Sequence, residues 1–465
     1  MTNSSLAQLV QSFNPTERRA ARKFLQSPFF NTRSDVRVLF EHLARGQFDK
    51  AVLWEKLYPR KTYEDQKFRL LCSYLYKELE KFIAVSQLLE DPLNIELEMA
   101  RNMRRRGLPA LYQRHQRSLE KKLDRQEHRD TRYYQRVYQL GWENYQIATI
   151  ENPTETQPIE ELSRLADIAY LSRRLRLICL ARAQSGVYGA GADKAAEEQT
   201  LNLVRQLDWQ QIPALSVYLA CLDMLREPET EAHFQHFKSL LLQEGQAFQD
   251  DETRGLFLWA LNYCVRRINQ NDRRYFPEAL ELYKVGLEKA YLLEDGLLSR
   301  FTYHNIVAVG LSSGDTDWVE HFIYSYRNAL ERTYRDSSFS FNLARLEFAR
   351  AQYDQVLQLL QRANYRDPLL NLGAKTLLLK TYYELDEYDL LSAHLAAMEN
   401  YIRRKRVIGY HRNNYRNILR YTDQLLKVNP YDRAAVGQLA AAVQQEKYLT
   451  EKDWFLKHLQ ELEAL

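Results

Sequence analysis

The apolar residues of this chain recur at helical spacing almost everywhere. Phe68, Leu71, Leu75, Leu79, Phe82 and Leu89 follow one another at steps of three, four or seven, which lays them along one face of an α-helix. No period-two run is long enough to make a strand. Helix starts are marked just as plainly. In Asn14-Pro15-Thr16-Glu17 an N-cap is followed by proline at the first helical position and Glu at the third, the pattern of a capping box. Asp91-Pro92, Asp367-Pro368 and Asn429-Pro430 repeat the cap-then-proline device. Fifteen glycines and twelve prolines punctuate 465 residues, too few for an all-β chain, which needs a turn about every 8–12 residues. The expectation is an all-α chain of about twenty helices joined by short turns.

Two stretches interrupt this rhythm. Glu151 to Pro158 is polar and holds two prolines, and it marks the expected boundary between an N-terminal helical region (1–150) and the remainder (158–465). Gly186 to Asp193 carries three of the fifteen glycines and reads as a loop between helices.

Beyond residue 350 the chain repeats itself. Gln352 to Pro368 reads QYDQVLQLLQRANYRDP. Tyr353-Asp354 opens a helix, Val356, Leu360 and Ala363 take its packing positions, and Asp367-Pro368 closes the unit. Thirty-five residues on, Tyr388-Asp389 repeats the opening with Leu391, Leu395 and Met398 in register, preceded by the aromatic pair Tyr382-Tyr383. Thirty-five residues before Tyr353 stands Trp318, after Gly314-Asp315, but His321 and Ser325 then occupy the positions expected to be apolar. The segment resembles the second half of a tetratricopeptide repeat. That resemblance implies a right-handed solenoid of helical hairpins over 158–465, binding a peptide or helix of a partner protein in its groove. The opening pattern, Pro-Thr-Glu-Arg-Arg followed by Phe-Leu-Gln-Ser-Pro-Phe-Phe-Asn up to Asn31, is similar to the start of uncharacterised helical proteins of Bacteroidota-type bacteria. This second resemblance is confined to that stretch and supplies no activity.

The net charge of +4 hides two basic islands. Arg101 to Arg136 holds twelve basic and four acidic residues, and Tyr401 to Arg420 holds seven basic and none acidic, which leaves the rest of the chain at −11. Arg104, Arg105, Arg106, Lys121 and Lys122 in the first island, and Arg403, Arg404, Lys405, Arg406, Arg412 and Arg416 in the second, are the candidate partner-binding residues. Three accounts fit them. They are a solvated face paired with the chain's own carboxylates, a dock for an acidic protein, or a phosphate-binding surface in which Tyr112, Tyr133, Tyr134, Tyr410, Tyr415 or Tyr421 stack on bases.

No motif specifies catalysis. Gly310-Leu311-Ser312-Ser313-Gly314 matches the nucleophile elbow GxSxG, which requires a strand before the serine; here a helix is expected to end. Gly186, Gly189 and Gly191 lack phosphate-loop spacing. His233 and His236 lie three apart with Glu231 nearby, short of a ligand set for a metal. The four cysteines stand more than forty residues apart, so buried free thiols in a reducing compartment are expected. Residues 1–11 lack the features of a secretory signal, and no apolar run approaches the ~20 residues of a membrane span. The chain is thus expected to be a cytoplasmic, non-enzymatic interaction scaffold with a protein partner and no cofactor, metal or membrane. The alternative is a regulator that touches RNA or DNA through its basic helices.

Overall fold

The computed structural model describes residues 3–151, 159–188, 193–270, 272–362, 365, 367–404 and 410–464. These form 23 α-helices, two short 3-10 turns and a two-stranded antiparallel ribbon. The protein is all-α. Packing divides it into two compact units, Met1–Ile178 with Asp193–Tyr218, and Cys179–Ala192 with Leu219–Leu465. The boundary expected at 150 to 158 falls inside the first unit, and residues 152–158 lie outside the described residues.

The first unit opens with α1 (Ser5–Ser12), α2 (Pro15–Gln26), α3 (Ser34–Ala44), α4 (Lys50–Leu57) and α5 (Asp65–Glu90). The capping box forms: Asn14 Oδ1 accepts from the amides of Thr16 and Glu17, both at 2.9 Å, and Glu17 accepts from the Asn14 amide at 2.7 Å. Five members of the predicted stripe on α5, Phe68 to Phe82, are buried against Leu39, Phe40 and Trp54; Leu89 is exposed instead, in the last turn of the helix. Next come α6 (Pro92–Arg105), α7 (Pro109–Asp124) and α8 (Thr131–Glu151), packed on one another around Leu97, Leu119, Leu123 and Leu140. Then follow α9 (Ile159–Tyr188), α10 (Lys194–Val204) and α11 (Pro213–Arg226), of which α9 and α11 contribute residues to both units. Helix α9 runs on through Gly186, which was expected in a loop, and residues 189–192 lie outside the described residues.

The second unit continues with α12 (Glu231–Glu244), α13 (Asp250–Asn269), α14 (Tyr275–Glu288), β1 (Leu293–Glu294), β2 (Leu297–Leu298), α15 (Arg300–Ser312), α16 (Thr316–Ser325), α17 (Arg332–Ala349), α18 (Tyr353–Arg362), α19 (Pro368–Glu384), α20 (Tyr388–Arg404), α21 (Tyr410–Lys427), α22 (Arg433–Gln445) and α23 (Lys452–Glu463). The ribbon, absent from the sequence expectation, turns on Asp295-Gly296, both with positive φ, the pairing that a tight hairpin turn favours. Asn429-Pro430 does not start a helix. The Asn429 side chain closes a turn on the Tyr431 amide, and Asp432 caps α22 instead.

From α15 onward the helices form successive hairpins. The first helices α15 and α17 each pack on their own partner and on the next first helix, α15 on α16 and α17, then α17 on α18 and α19. The three hairpins share one turn. Gly314, Ala351 and Asp386 take the left-handed conformation, and the next amide reaches back five residues, from Asp315 to Gly310 O, Gln352 to Glu347 O and Glu387 to Tyr382 O, at 2.8–3.1 Å. This is the Schellman closure of a helix end. The second helix starts two residues past each left-handed residue, at Thr316, Tyr353 and Tyr388. Tyr353 and Tyr388 thus hold equivalent positions, each with its ring edge-on to the aromatic five residues earlier, Phe348 or Tyr383. The first of these intervals is 37 residues and the second 35. Trp318 is therefore not the counterpart of Tyr353. With Thr316 as the start, Val319 and Ile323 fall on Val356 and Leu360, and all four are buried.

The glycines of Gly310-Leu311-Ser312-Ser313-Gly314 are explained by this turn. A Cβ on Gly310 would lie 2.3 Å from Val319 Cγ2, and Gly314 holds φ at +78°. The serines end a helix, and no strand precedes them. Ala351 holds the same left-handed geometry with a side chain, at a cost of about 1–2 kcal/mol, partly offset by the lower entropy of alanine in the unfolded chain. Ala351→Gly should therefore raise unfolding stability by up to about 1 kcal/mol. Gly310→Ala should lower it by about 1–3 kcal/mol through overpacking. Urea denaturation of the two variants checks both signs.

Candidate functional site

The candidate residues fall in both units. In the first, the sequence between Arg101 and Arg136 builds α6, α7 and the start of α8, and the packing sorts its cations into two sets. One set is bonded inward. Glu143 on α8 is buried and accepts from Arg104 Nε at 2.7 Å and from Arg101 Nε at 3.1 Å. Glu96 on α6 takes Lys122 Nζ at 2.7 Å, His115 Nδ1 at 2.8 Å and Ser118 Oγ at 2.9 Å. Burial alone would raise the Glu96 carboxyl, but these three contacts hold it down to about 2. Arg136 pairs with Asp91, and Arg129 caps the carbonyls of Leu123 and Gln126 at the end of α7. The tyrosines are bonded inward too. Tyr112 is fully buried with its hydroxyl on Asn144 at 2.6 Å, and Tyr133 lies 4.2 Å beneath the Arg129 guanidinium.

The other set faces out. Arg105, Arg106, Arg114, Arg117, Lys121 and Arg125 are exposed, and their side chains bond to no other group among the described residues. So Arg105, Arg106 and Lys121 behave as expected of surface cations, whereas Arg104 and Lys122 are structural.

In the second unit the basic island is diluted by its neighbours. Arg403, Arg404, Arg412 and Arg416 are exposed, with Arg403 donating to Asn400 Oδ1 at 2.7 Å. Lys405 and Arg406 lie outside the described residues, as does the Tyr410 side chain. Arg403 and Arg416 line a cleft of about 550 Å³ between α20 and α21, but Glu399 and Asp423 line it as well. Arg420, on the same face, is bound to Glu446 at 2.7 Å, and Tyr421 is buried.

The face made by the first helices α15, α17 and α19 holds residues that the sequence did not single out. Beside the β-ribbon, Arg254, Glu294, Arg300, Phe301 and Tyr334 line an open cleft of about 530 Å³. Phe301 is 61% exposed, and Arg300 lies 4.0 Å over the Tyr334 ring while paired with Asp367. Deeper in, Asn342 Nδ2 donates to His304 Nδ1 at 2.7 Å, and Arg345 donates to the His304 carbonyl at 3.2 Å. Burial, helped by the charge of Arg345, pushes the His304 imidazole down to about 4. Farther along, α23 covers α19. Trp454 Nε1 donates to Glu384 at 2.7 Å, His458 Nε2 lies 3.0 Å from the same carboxylate, and Lys380 pairs with Glu451 at 2.7 Å. Burial opposes ionisation of Glu384, but the contacts from His458, Trp454 and Tyr353 win and lower it to about 2. The His304–Asn342 pair spans 38 residues, close to one hairpin repeat, and that spacing was the only trace of it in the sequence.

Among the described residues, no group of three histidine, cysteine or acidic side chains is placed to hold a metal ion, and no helix is long and apolar enough to cross a membrane. His233 lies 3.2 Å from Glu227. The cysteines are free; Cys179, Cys221 and Cys264 are buried and Cys72 is half-buried. Comparison of the chain with protein-family models, with curated proteins and with solved structures finds no match in any of the three.

Two predictions follow from this wiring. Removing one partner of a buried ion pair strands the other. Arg104→Met should therefore destabilise the protein by about 2 kcal/mol, with Arg101 limiting the loss, while Arg105→Ala stays within about 0.5 kcal/mol. Chemical denaturation of the two variants reads the difference. The second prediction concerns pH. His304 is lowered from 6.5 to about 4 in the folded state, so the unfolded chain binds the extra proton first. Its contribution is complete above pH 6.5 and is lost as pH falls through 4. Glu384, lowered from 4.5 to about 2, adds a second loss between those values. His304→Gln should flatten the upper part of the stability-versus-pH curve and leave the lower part in place, as followed by urea midpoints from pH 7.5 to 3.

Proposed function

We propose that the protein is a non-catalytic interaction scaffold whose second unit is a tetratricopeptide-like solenoid, binding a segment of a partner protein on its first-helix face. The observation that carries this reading is the recurrence of one turn and one packing register through three consecutive hairpins, with α15, α17 and α19 in contact in series. A hairpin of this kind cannot bury its apolar face alone, and stacking produces a continuous surface suited to extended ligands.

The binding region we assign is the end of that face beside the β-ribbon. At the far end, Trp454, His458 and Glu451 of the chain itself engage α19. At the ribbon end, Phe301 offers an exposed ring 4.7 Å from the Arg300 guanidinium, in a cleft also lined by Arg254, which pairs with Glu294 at 2.6 Å. Aromatic and arginine side chains in a partly enclosed cleft are the favoured anchors of protein interfaces. The partner segment we infer carries an apolar side chain next to a carboxylate.

A photo-crosslinking amino acid placed at Phe301 tests the assignment in cells. The expected result is a crosslink to one defined polypeptide, lost in Arg254→Glu and absent when the same probe replaces Phe29, which is 87% exposed in the first unit. No adduct at 301, or the same adducts from both positions, overturns it.

A further inference from the structure

The outward cations of the first unit form a line. Arg114, Arg117, Lys121 and Arg125 are spaced three, four and four residues apart along α7 and its cap. This spacing keeps them on one helical face, stepping about 4.5, 6 and 6 Å along the axis at 1.5 Å per residue. Arg105 and Arg106 stand at the turn that leads into the same helix. All six are exposed and without partners among the described residues, while their neighbours Arg101, Arg104, Lys122 and Arg136 are held by carboxylates. The carboxylates of Glu96, Glu143 and Asp91 hold the cations on one side of the hairpin, while Asp124 and Glu127 are the exposed acids near the other side, where cations outnumber them.

We infer that this stripe binds the phosphate backbone of double-stranded DNA without reading its bases. Three observations select that ligand. The line from residue 114 to 125 places four cations over about 16 Å, a length in which one strand presents about five phosphates at ~3.4 Å per phosphate along the duplex axis, so each cation has a phosphate within reach. Five of the six cations are arginine, whose planar fork suits phosphate oxygens. The face also lacks what other ligands need. Between the cations lie Ala110, Gln113, Ser118 and Asp124; the exposed apolar side chains among them are Leu108 and Leu111, both at the start of the helix, and no exposed aromatic stands there to anchor a protein partner. Tyr112 is buried, Tyr133 is half-buried beneath Arg129 and edge-on to the half-buried Tyr134 at 5.0 Å, so no fully exposed ring is offered to an unpaired base, and the Ser118 hydroxyl is bonded to Glu96 rather than free for a ribose 2′-hydroxyl. What remains is charge at regular spacing, which a duplex backbone matches. The mixed cleft of the second island, with Glu399 and Asp423 in its wall, has no such excess and is not part of this site.

The test is fluorescence anisotropy of the full chain with labelled 20-base-pair DNA duplexes of two unrelated sequences, titrated from 50 to 200 mM NaCl. With the four cations of the line, or all six, each neutralising one phosphate, log K should fall with log salt at a slope of about −3.6 to −5.4, equally for both sequences. Each neutral substitution among the exposed cations should lower that slope by about 0.9. The triple variant Arg114→Glu, Arg117→Glu, Lys121→Glu should lose binding while keeping its helical circular dichroism; the corresponding triple glutamine variant, with a reduced slope, serves if the glutamates disturb folding. A wild-type slope shallower than about −2, or reversed variants that bind like wild type, would overturn the inference. So would stronger competition by polyglutamate of equal charge, which would give the face to an acidic protein. Tighter binding to duplex RNA or to oligo-dT than to duplex DNA would also reject it.

Discussion

The second unit depends on how its helices stop. At Gly314, Ala351 and Asp386 one residue turns left-handed, the following amide reaches back to the carbonyl five residues earlier, and a new helix begins two residues on. That closure satisfies carbonyls that the helix end would otherwise leave unpaired. It also sets the angle at which the chain returns, so Val319, Val356 and Leu391 arrive at corresponding places and are all buried. Local hydrogen bonding at three turns thereby fixes which apolar stripes meet. The same closure joins α6 to α7 in the first unit, where Gly107 is left-handed and the Leu108 amide bonds to Met103 O.

Charge in this molecule is organised by buried and half-buried carboxylates. Glu143, Glu96 and Glu384 lie on inward faces of helices, and each draws donors from other helices to balance its desolvation. The cations so recruited become part of the packing and cease to be surface features. What the solvent meets is the remainder, and it differs between the islands. On α7 the remainder is a line of four cations with Asp124 beside its end, whereas between α20 and α21 both signs line one cleft. Net charge, +8 against +7, ranks the islands as near equals, and the difference lies in where the acids fall in space.

Much of the architecture was legible because it is written in local chemistry. Asn14, Asp91 and Asp367 cap helices as expected, since each needs only a neighbouring amide to bond. Asn429 failed where Asp432, three residues later, competed for the same role. The Trp318 register failed because the interval that contains it is two residues longer than the next, and a fixed 35-residue comparison slides past the true match. The Asp295-Gly296 ribbon escaped because two residues per strand are too few to show alternation. The site was legible as charge and not as geometry. Arg104 and Arg105 look alike in sequence, and only the arrival of Glu143, 39 residues away, separates the structural arginine from the free one. Nothing local distinguishes Phe301 from any other apolar helix residue.

The unequal intervals between the left-handed turns bear on how such a chain can change length. Residues 352–386 begin just after one left-handed residue and end on the next, so the segment carries a complete second helix, the following first helix and the closure that starts another pair. Such a cassette can in principle be copied or excised with its ends in matching backbone conformation. The preceding interval, 315–351, holds two more residues and is not interchangeable with it residue for residue. Both intervals nonetheless start just after a left-handed residue and end on one, so either could be duplicated with its joints in matching backbone conformation.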